Sequence, residues 1–187
     1  MKKTIRFDDF FSAEELEYLE RDLLDPRVTS HIDQHLGRKR LEGVILPPYC
    51  QGKLEDLVNE LSGLNLIMNM PPQYVEYSSE YGEPNLNPHY DGDFNEFIID
   101  YQFQSNTSWP LGVDLELHEL QDNSAILFRP NGSAHWRPRK TFQPGEYVRM
   151  FFFRFFDPNN PADNSHLPNH PQDEAFSEVN AFRDSLN

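Results

Sequence analysis

The sequence has a single cysteine, Cys50, among 187 residues. That excludes an internal disulfide, and a lone thiol with no catalytic pattern around it reads as a packed side chain. Long apolar runs are also lacking. None approaches the ~20 residues that a membrane helix requires, and Met1-Lys2-Lys3 leads into no apolar signal stretch. A cytoplasmic location is the expectation. Positive charge is scarce: 16 Lys and Arg stand against 31 Asp and Glu, for a net charge of −15. Such a chain repels nucleic acid and anionic membrane surfaces. Hydrophobic residues reach only 37%, but 15 phenylalanines supply large rings that fill a core where aliphatics alone would not. The length suits one domain.

The few cations are unevenly placed. Arg27, Arg38, Lys39, Arg40 and Lys53 mark one region, and Arg129, Arg137, Arg139, Lys140, Arg149 and Arg154 another. In an acidic protein this grouping suggests a pocket for a small anion.

Ser12-Ala13-Glu14-Glu15 is a capping box, followed by Leu16, Leu19 and Leu23 at helical spacing, with Asp25-Pro26 as a stop. Leu54, Leu57, Val58 and Leu61 predict a second helix closing near Gly63. Then the pattern changes to strands. Residues 73–77, 100–104 and 113–117 alternate, while 124–128 and 147–156 are denser and read as buried strands. Helices first, then many strands with short turns, describe a β-sandwich or barrel with flanking helices. The expected division is a single domain over 1–187: helical support over 1–63, a strand-rich core over 64–156, and a polar tail with a short helix over 157–187. Residues 27–42 are a candidate cover for a site.

Residues 89–102, HYDGDFNEFIIDYQ, invite two metal readings. Asp91, Asp93 and Asn95 occupy positions 1, 3 and 5 of a calcium loop. However, Glu96 stands where the loop needs glycine, and Gln102 where it needs a bidentate glutamate. The other reading is an iron site of two imidazoles and one carboxylate, which leaves positions open for co-substrate and oxygen. His89 and Asp91, two apart on an extended segment, share a face. The third ligand must come from elsewhere, among His31, His35, His118, His135, His166 and His170. His135 is favoured by its setting, after the apolar strand at 124–128 and the Asn131-Gly132 turn. Arg149, set in an apolar strand, needs a partner if buried, and its fork matches a carboxylate. Arg139 and Lys140 are alternatives for that role.

Together these stretches resemble the 2-oxoglutarate- and Fe(II)-dependent oxygenases, in particular their prolyl-hydroxylase-like branch. The resemblance runs from Phe7-Asp8-Asp9-Phe10-Phe11 through Tyr74-Val75-Glu76-Tyr77 and Asn87-Pro88-His89-Tyr90-Asp91. It continues through Asp100-Tyr101-Gln102-Phe103 and Trp109 to Ala125-Ile126-Leu127-Phe128, His135 and Arg149 to Phe156. It departs at Asp122-Asn123, where the family often has Pro-Gly, and in the fourteen-residue gap from His135 to Arg149. The resemblance implies a double-stranded β-helix, or jelly roll, with N-terminal helices. It implies Fe(II) held by His89, Asp91 and His135, and 2-oxoglutarate as co-substrate with O₂. Arg149 would take the distal carboxylate of 2-oxoglutarate, and Tyr77 and Tyr101 would line the site. The implied reaction is hydroxylation of an unactivated C–H bond; because Asp91 fills the position that a halide would need, halogenation is disfavoured. The basic stretch around Arg137, Arg139 and Lys140 points to a small anionic substrate such as an amino acid. A peptidyl-proline substrate is the alternative within the class, and a non-catalytic metal- or sugar-binding jelly roll the alternative outside it.

Overall fold

The computed structural model describes residues 4–23, 27–68, 70–91, 96–159 and 174–186. In chain order these form β1 (Thr4–Phe7), α1 (Ala13–Leu23), β2 (Thr29–Asp33), β3 (Arg38–Glu42) and α2 (Pro48–Ser62). There follow β4 (Gln73–Ser78), β5 (Phe97–Ser105), β6 (Leu111–Val113), β7 (Glu116–His118) and β8 (Ser124–Phe128). β9 (His135–Trp136), β10 (Tyr147–Phe155) and α3 (Ser177–Asp184) complete the fold. Seven strands make one sheet in the order β1-β8-β5-β10-β4-β3-β2, and β7-β6-β9 make a second. The pairings are antiparallel throughout. This is a mainly β fold of jelly-roll character, as the resemblance implies.

The helices form where their local chemistry dictates. At the start of α1 the backbone N–H of Glu15 donates to Ser12 Oγ at 3.3 Å, and the Ser12 N–H donates to Glu15 Oε2 at 2.8 Å. This is the reciprocal bonding of a capping box. α2 begins with Pro48 in its first turn and stops at Gly63, whose φ of 71° closes the helix in the left-handed region. The Asp25-Pro26 stop lies outside the described residues.

The large sheet is covered on both faces, which is why β10 is apolar at nearly every position. Its Phe151, Phe153 and Phe155 pack with Phe11, Leu19, Leu54 and Val58 into a core under the helices. Its Val148, Met150 and Phe152 point the other way, into a second core with Trp109, Leu111 and Val113 against the small sheet. Successive side chains on a strand alternate between faces, so every residue of β4, β5 and β10 is committed to the helix side or the small-sheet side.

Two expectations are corrected. Residues 113–117 do not form one strand: β6 and β7 are a hairpin with Val113 opposite Glu116. Asp114 turns the chain there at a φ of 53°, which a short polar residue tolerates. Ala134 N–H donates to its Oδ1 at 2.9 Å, and Trp136 Nε1–H donates to its carbonyl at 2.9 Å. Second, residues 29–42, placed by sequence within the helical support, are a two-stranded extension of the large sheet, joined to it where β3 pairs with β4.

The small sheet has almost no slack at Gly112, which lies opposite Trp136. A Cβ at that position would sit 2.3 Å from the Trp136 ring, and Trp136 is fully buried. Gly112→Ala should therefore destabilise the protein by roughly 1–3 kcal/mol through overpacking. Chemical denaturation should show a lowered midpoint with unchanged slope.

Candidate metal centre

β9 is only two residues long, yet it brings together the two segments that matter. His89 and His135 form an antiparallel bridge: His135 N–H donates to the His89 carbonyl at 3.0 Å, and His89 N–H to the His135 carbonyl at 3.2 Å. Paired residues project to one side, so the two imidazoles meet with ring centroids 4.0 Å apart. Asp91, two residues beyond His89, shares that face and is anchored by its own N–H on the Pro130 carbonyl at 3.1 Å. Both His89 Nε2 and His135 Nε2 stand 3.7 Å from Asp91 Oδ1. One potential donor atom from each of the three residues lies within 4.8 Å of the others. That is too far for hydrogen bonds between them and close enough for one ion to bind all three.

The protonation states suit a metal. His89 Nδ1 lies 2.8 Å from the Asn87 carbonyl, which selects the tautomer that leaves Nε2 as a lone pair. Burial, reinforced by neighbouring His89, pushes the His135 pKa down to about 3, so that imidazole is neutral. Burial raises Asp91, but His135, His89 and Arg154 outweigh it and hold the carboxyl below its ordinary value. His135 thereby offers a neutral imidazole and Asp91 an ionised carboxylate.

The triad opens on a cavity of about 590 Å³. Ile98 and Asp100 of β5, Phe152 and Arg154 of β10, and Gln73 and Tyr77 of β4 line one side of it. Arg38, Arg40 and Glu42 of β3 line another. The Tyr77 hydroxyl is buried with no hydrogen-bond partner among the described residues, as is one oxygen of Asp100. A buried polar group without a protein partner calls for water, an ion or a ligand to satisfy it. Arg154 donates from Nη2 to Gln73 Oε1 at 3.2 Å.

Of the candidate ligands, His89, Asp91 and His135 converge. His118 sits on β7 with Glu116 at 3.8 Å, and His31 faces Glu42 at 3.6 Å. His35 is in the turn between β2 and β3, and His166 and His170 lie outside the described residues. The calcium loop is spent: Glu96 pairs with Arg129 at 2.5 Å, and Gln102 donates to the Leu120 carbonyl at 2.8 Å. Its residues 92–95 lie outside the described set.

Arg149 and Tyr101 do not line this cavity. Both lie on the helix side of the large sheet. Arg149 Nε donates to Glu76 Oε2 at 2.7 Å and Nη1 to Gln104 Oε1 at 3.0 Å. Tyr101 packs on Phe11 and Phe153 and donates its hydroxyl to Asn123 Oδ1 at 3.1 Å. Strand alternation places Arg154 and Asp100 at the cavity instead. The basic stretch after His135 does not line this cavity either. Arg137 is buried over the Trp109 ring and bonded to the Trp109 carbonyl, Arg139 pairs with Asp184, and Lys140 with Glu146.

Sequence reasoning also missed Arg183 on α3. It is buried, and its Nε donates to the Arg137 carbonyl at 2.8 Å. Nη1 reaches Asn87 Oδ1 at 2.7 Å and Nη2 reaches Asn85 Oδ1 at 2.9 Å. One guanidinium thus ties together the segments that carry His89 and His135. Phe176 and Val179 pack beneath it with Trp136. A polar tail gave no periodic signal for this role.

No family model and no curated protein matches this chain. Solved structures do. An oxidoreductase of the 2OG-Fe(II) oxygenase family from Burkholderia pseudomallei superposes with a TM-score of 0.60. The match covers 82% of this chain and 85% of that one, at 9% identity. The fold is that of the 2-oxoglutarate- and iron-dependent oxygenases. A prolyl hydroxylase from Trichoplax adhaerens, in complex with a hypoxia inducible factor peptide fragment, gives a TM-score of 0.57 at 10% identity, covering 85% and 86% of the two chains. HygX from Streptomyces hygroscopicus, with nickel, 2-oxoglutarate and hygromycin B bound, gives 0.57 at 9% identity, covering 83% of each. The resemblance read from the sequence thus holds at the level of fold.

Asp100 supplies a test of the cavity's electrostatics. Burial pushes its pKa up to about 7, against the opposing charges of Arg137 and Arg154. Unfolded, the group titrates near about 3.9, so between about pH 4 and 7 the folded state holds more protons. Stability from this group is present below about pH 4 and is lost as pH rises through about 7. Asp100→Asn should remove that loss and gain on the order of a few kcal/mol over wild type at about pH 8 relative to about pH 5. Urea denaturation of metal-free protein at both pH values checks it; an unchanged difference would refute the assignment.

Proposed function

We propose that this protein is an Fe(II)- and 2-oxoglutarate-dependent dioxygenase that hydroxylates an unactivated C–H bond of a small molecule. The observation that carries the reading is the His89-Asp91-His135 cluster, which opens on a cavity that also holds Tyr77 and Arg154. Metal binding alone would make no use of the unpartnered buried Tyr77 hydroxyl and the Arg154 guanidinium beside the cluster. Iron with 2-oxoglutarate, when bound, supplies O₂-dependent C–H oxidation coupled to decarboxylation of 2-oxoglutarate to succinate and carbon dioxide.

The chain's own residues have separable roles. His89, Asp91 and His135 would hold the metal on one side and leave its other side to the cavity. The Asn87 carbonyl orients His89. Arg154 replaces Arg149 as the anchor for a carboxylate of 2-oxoglutarate. It faces the cavity, and a neutral amide, Gln73, holds it without neutralising it. The Tyr77 hydroxyl is the matching neutral donor. Ile98 and Phe152 supply apolar walls that exclude water from the reacting bond. Asp91 occupies the carboxylate position with a negative charge, which opposes a halide ligand and directs the outcome to hydroxylation.

With Fe(II) and O₂, wild-type protein should form succinate from 2-oxoglutarate, and His135→Ala or Asp91→Ala should abolish it. Arg154→Ala should raise the 2-oxoglutarate requirement roughly thirtyfold or more, the equivalent of losing about 2 kcal/mol or more at a desolvated charge pair. Arg149→Ala should leave that requirement near wild type while lowering stability, because it removes the ion pair of Glu76. A larger effect at Arg149 than at Arg154 would overturn the anchor, and full activity without the triad would overturn the reading.

A further inference from the structure

The cavity holds more positive charge than one co-substrate needs. Besides Arg154, Arg38 and Arg40 enter it from β3, the inner strand of the β2–β3 hairpin. Their registers explain why: Arg38 lies opposite Tyr77 and Arg40 opposite Val75, so both project on the cavity side of the sheet. The other cations show what is unusual. Arg6, Arg129, Arg139 and Arg149 each stand within 3.3 Å of a carboxylate oxygen. Arg40 has no ion pair among the described residues, and its Nε is buried without a hydrogen-bond partner. Arg38 has one loose ion pair, Nη2 to Asp33 Oδ2 at 3.4 Å, and its Nε is likewise buried and unsatisfied. With 31 acidic residues in the chain, a close carboxylate was easy to provide, and two guanidinium groups with unsatisfied Nε–H beside a cavity are poised for an external acceptor.

The acidic groups of the cavity limit what that acceptor is. Glu42 lines the cavity from the same strand as the two arginines, and Asp91 and Asp100 line it further in. A nucleotide or other polyanion would meet these carboxylates, whereas a single planar carboxylate fits two guanidinium forks and stays clear of them. From this geometry we infer that Arg38 and Arg40 bind the carboxylate of the substrate, a small organic monocarboxylic acid, and so set the specificity of the reaction. The inference rests on the dioxygenase reading for the identity of the remaining occupants, with metal at the triad and 2-oxoglutarate on Arg154 and Tyr77. It moves the recognition of charge from the stretch after His135, which does not line this cavity, to the hairpin.

The test uses full-length protein loaded with Mn(II) and 2-oxoglutarate under anaerobic conditions, so that binding is read without turnover. Free amino acids, N-acetyl amino acids and simple short-chain carboxylic acids are titrated by calorimetry, each beside its own carboxamide. Acids should bind about tenfold or more tightly than their amides, and Arg40→Gln should reduce that ratio to about threefold or less. Arg38→Gln should reduce it in the same direction. Because each ratio is taken within one protein, a general loss of stability in a variant does not imitate the result, and the wild-type ratio stands even if a variant fails to fold. Equal binding of acids and amides, no binding by any acid in the set, or a ratio unchanged in Arg40→Gln would overturn the proposal. Failure of 2-oxoglutarate itself to bind the Mn(II) protein is a separate outcome. It would defeat the dioxygenase reading, and the acid-to-amide ratio would then be read on the metal-loaded protein alone by the same criteria.

Discussion

The site depends on one pair of main-chain hydrogen bonds, those exchanged by His89 and His135. The two histidines are 46 positions apart in sequence, and nothing in their side chains brings them together. The bridge does so, because paired residues of an antiparallel ladder project to one side. Asp91 then follows by strand alternation. The bridge is in turn supported from two directions. On one side Gly112 lets the Trp136 ring lie flat on the small sheet, which sets the position of β9. On the other, Arg183 bonds Asn85, Asn87 and the Arg137 carbonyl, closing the two histidine-bearing segments from outside. A short strand with few ladder bonds of its own is thereby held by a buried ring and a buried guanidinium.

Much of this is legible in the sequence. The capping box at Ser12, the glycine stop at Gly63, the alternation of β4 and the density of β10 each correspond to an element that formed. The triad was legible because His-X-Asp on an extended segment has few uses, and because His135 follows a buried strand. Order along the chain suggests Arg149 and Tyr101, whereas the side of a strand is decided by parity. Counting from Phe151 and Phe153, which belong under the helices, puts Arg149 with them and Arg154 on the opposite face. Likewise, Tyr101 shares parity with Ile99, and Asp100 does not. The β2–β3 hairpin escaped notice because it is an edge pair of mostly polar residues, with no buried face to impose a pattern. Arg183 escaped because long-range bonds from one side chain leave no periodic trace.

The charge distribution has a consistent logic. A chain with a net charge of −15 keeps its exterior acidic and turns selected cations inward. Some of these are structural: Arg137 and Arg183 are buried on carbonyls, and burial lowers both below the usual guanidinium range. Others, Arg38, Arg40 and Arg154, line the cavity with unspent hydrogen-bonding capacity. Arg154 and Arg38 contribute to lowering Asp91, and Arg154 adds a small opposition to the ionisation of His135, which burial dominates.

The central claim is that His89, Asp91 and His135 hold a single metal ion where the two sheets meet. Anomalous diffraction from crystals grown anaerobically with Mn(II) tests it most directly. The account predicts one strong peak, bonded to Nε2 of both histidines and to a carboxylate oxygen of Asp91, with further coordination positions turned toward Arg154 and Tyr77. A peak at another cluster, or no ordered ion at the triad with Mn(II) in excess, would contradict it.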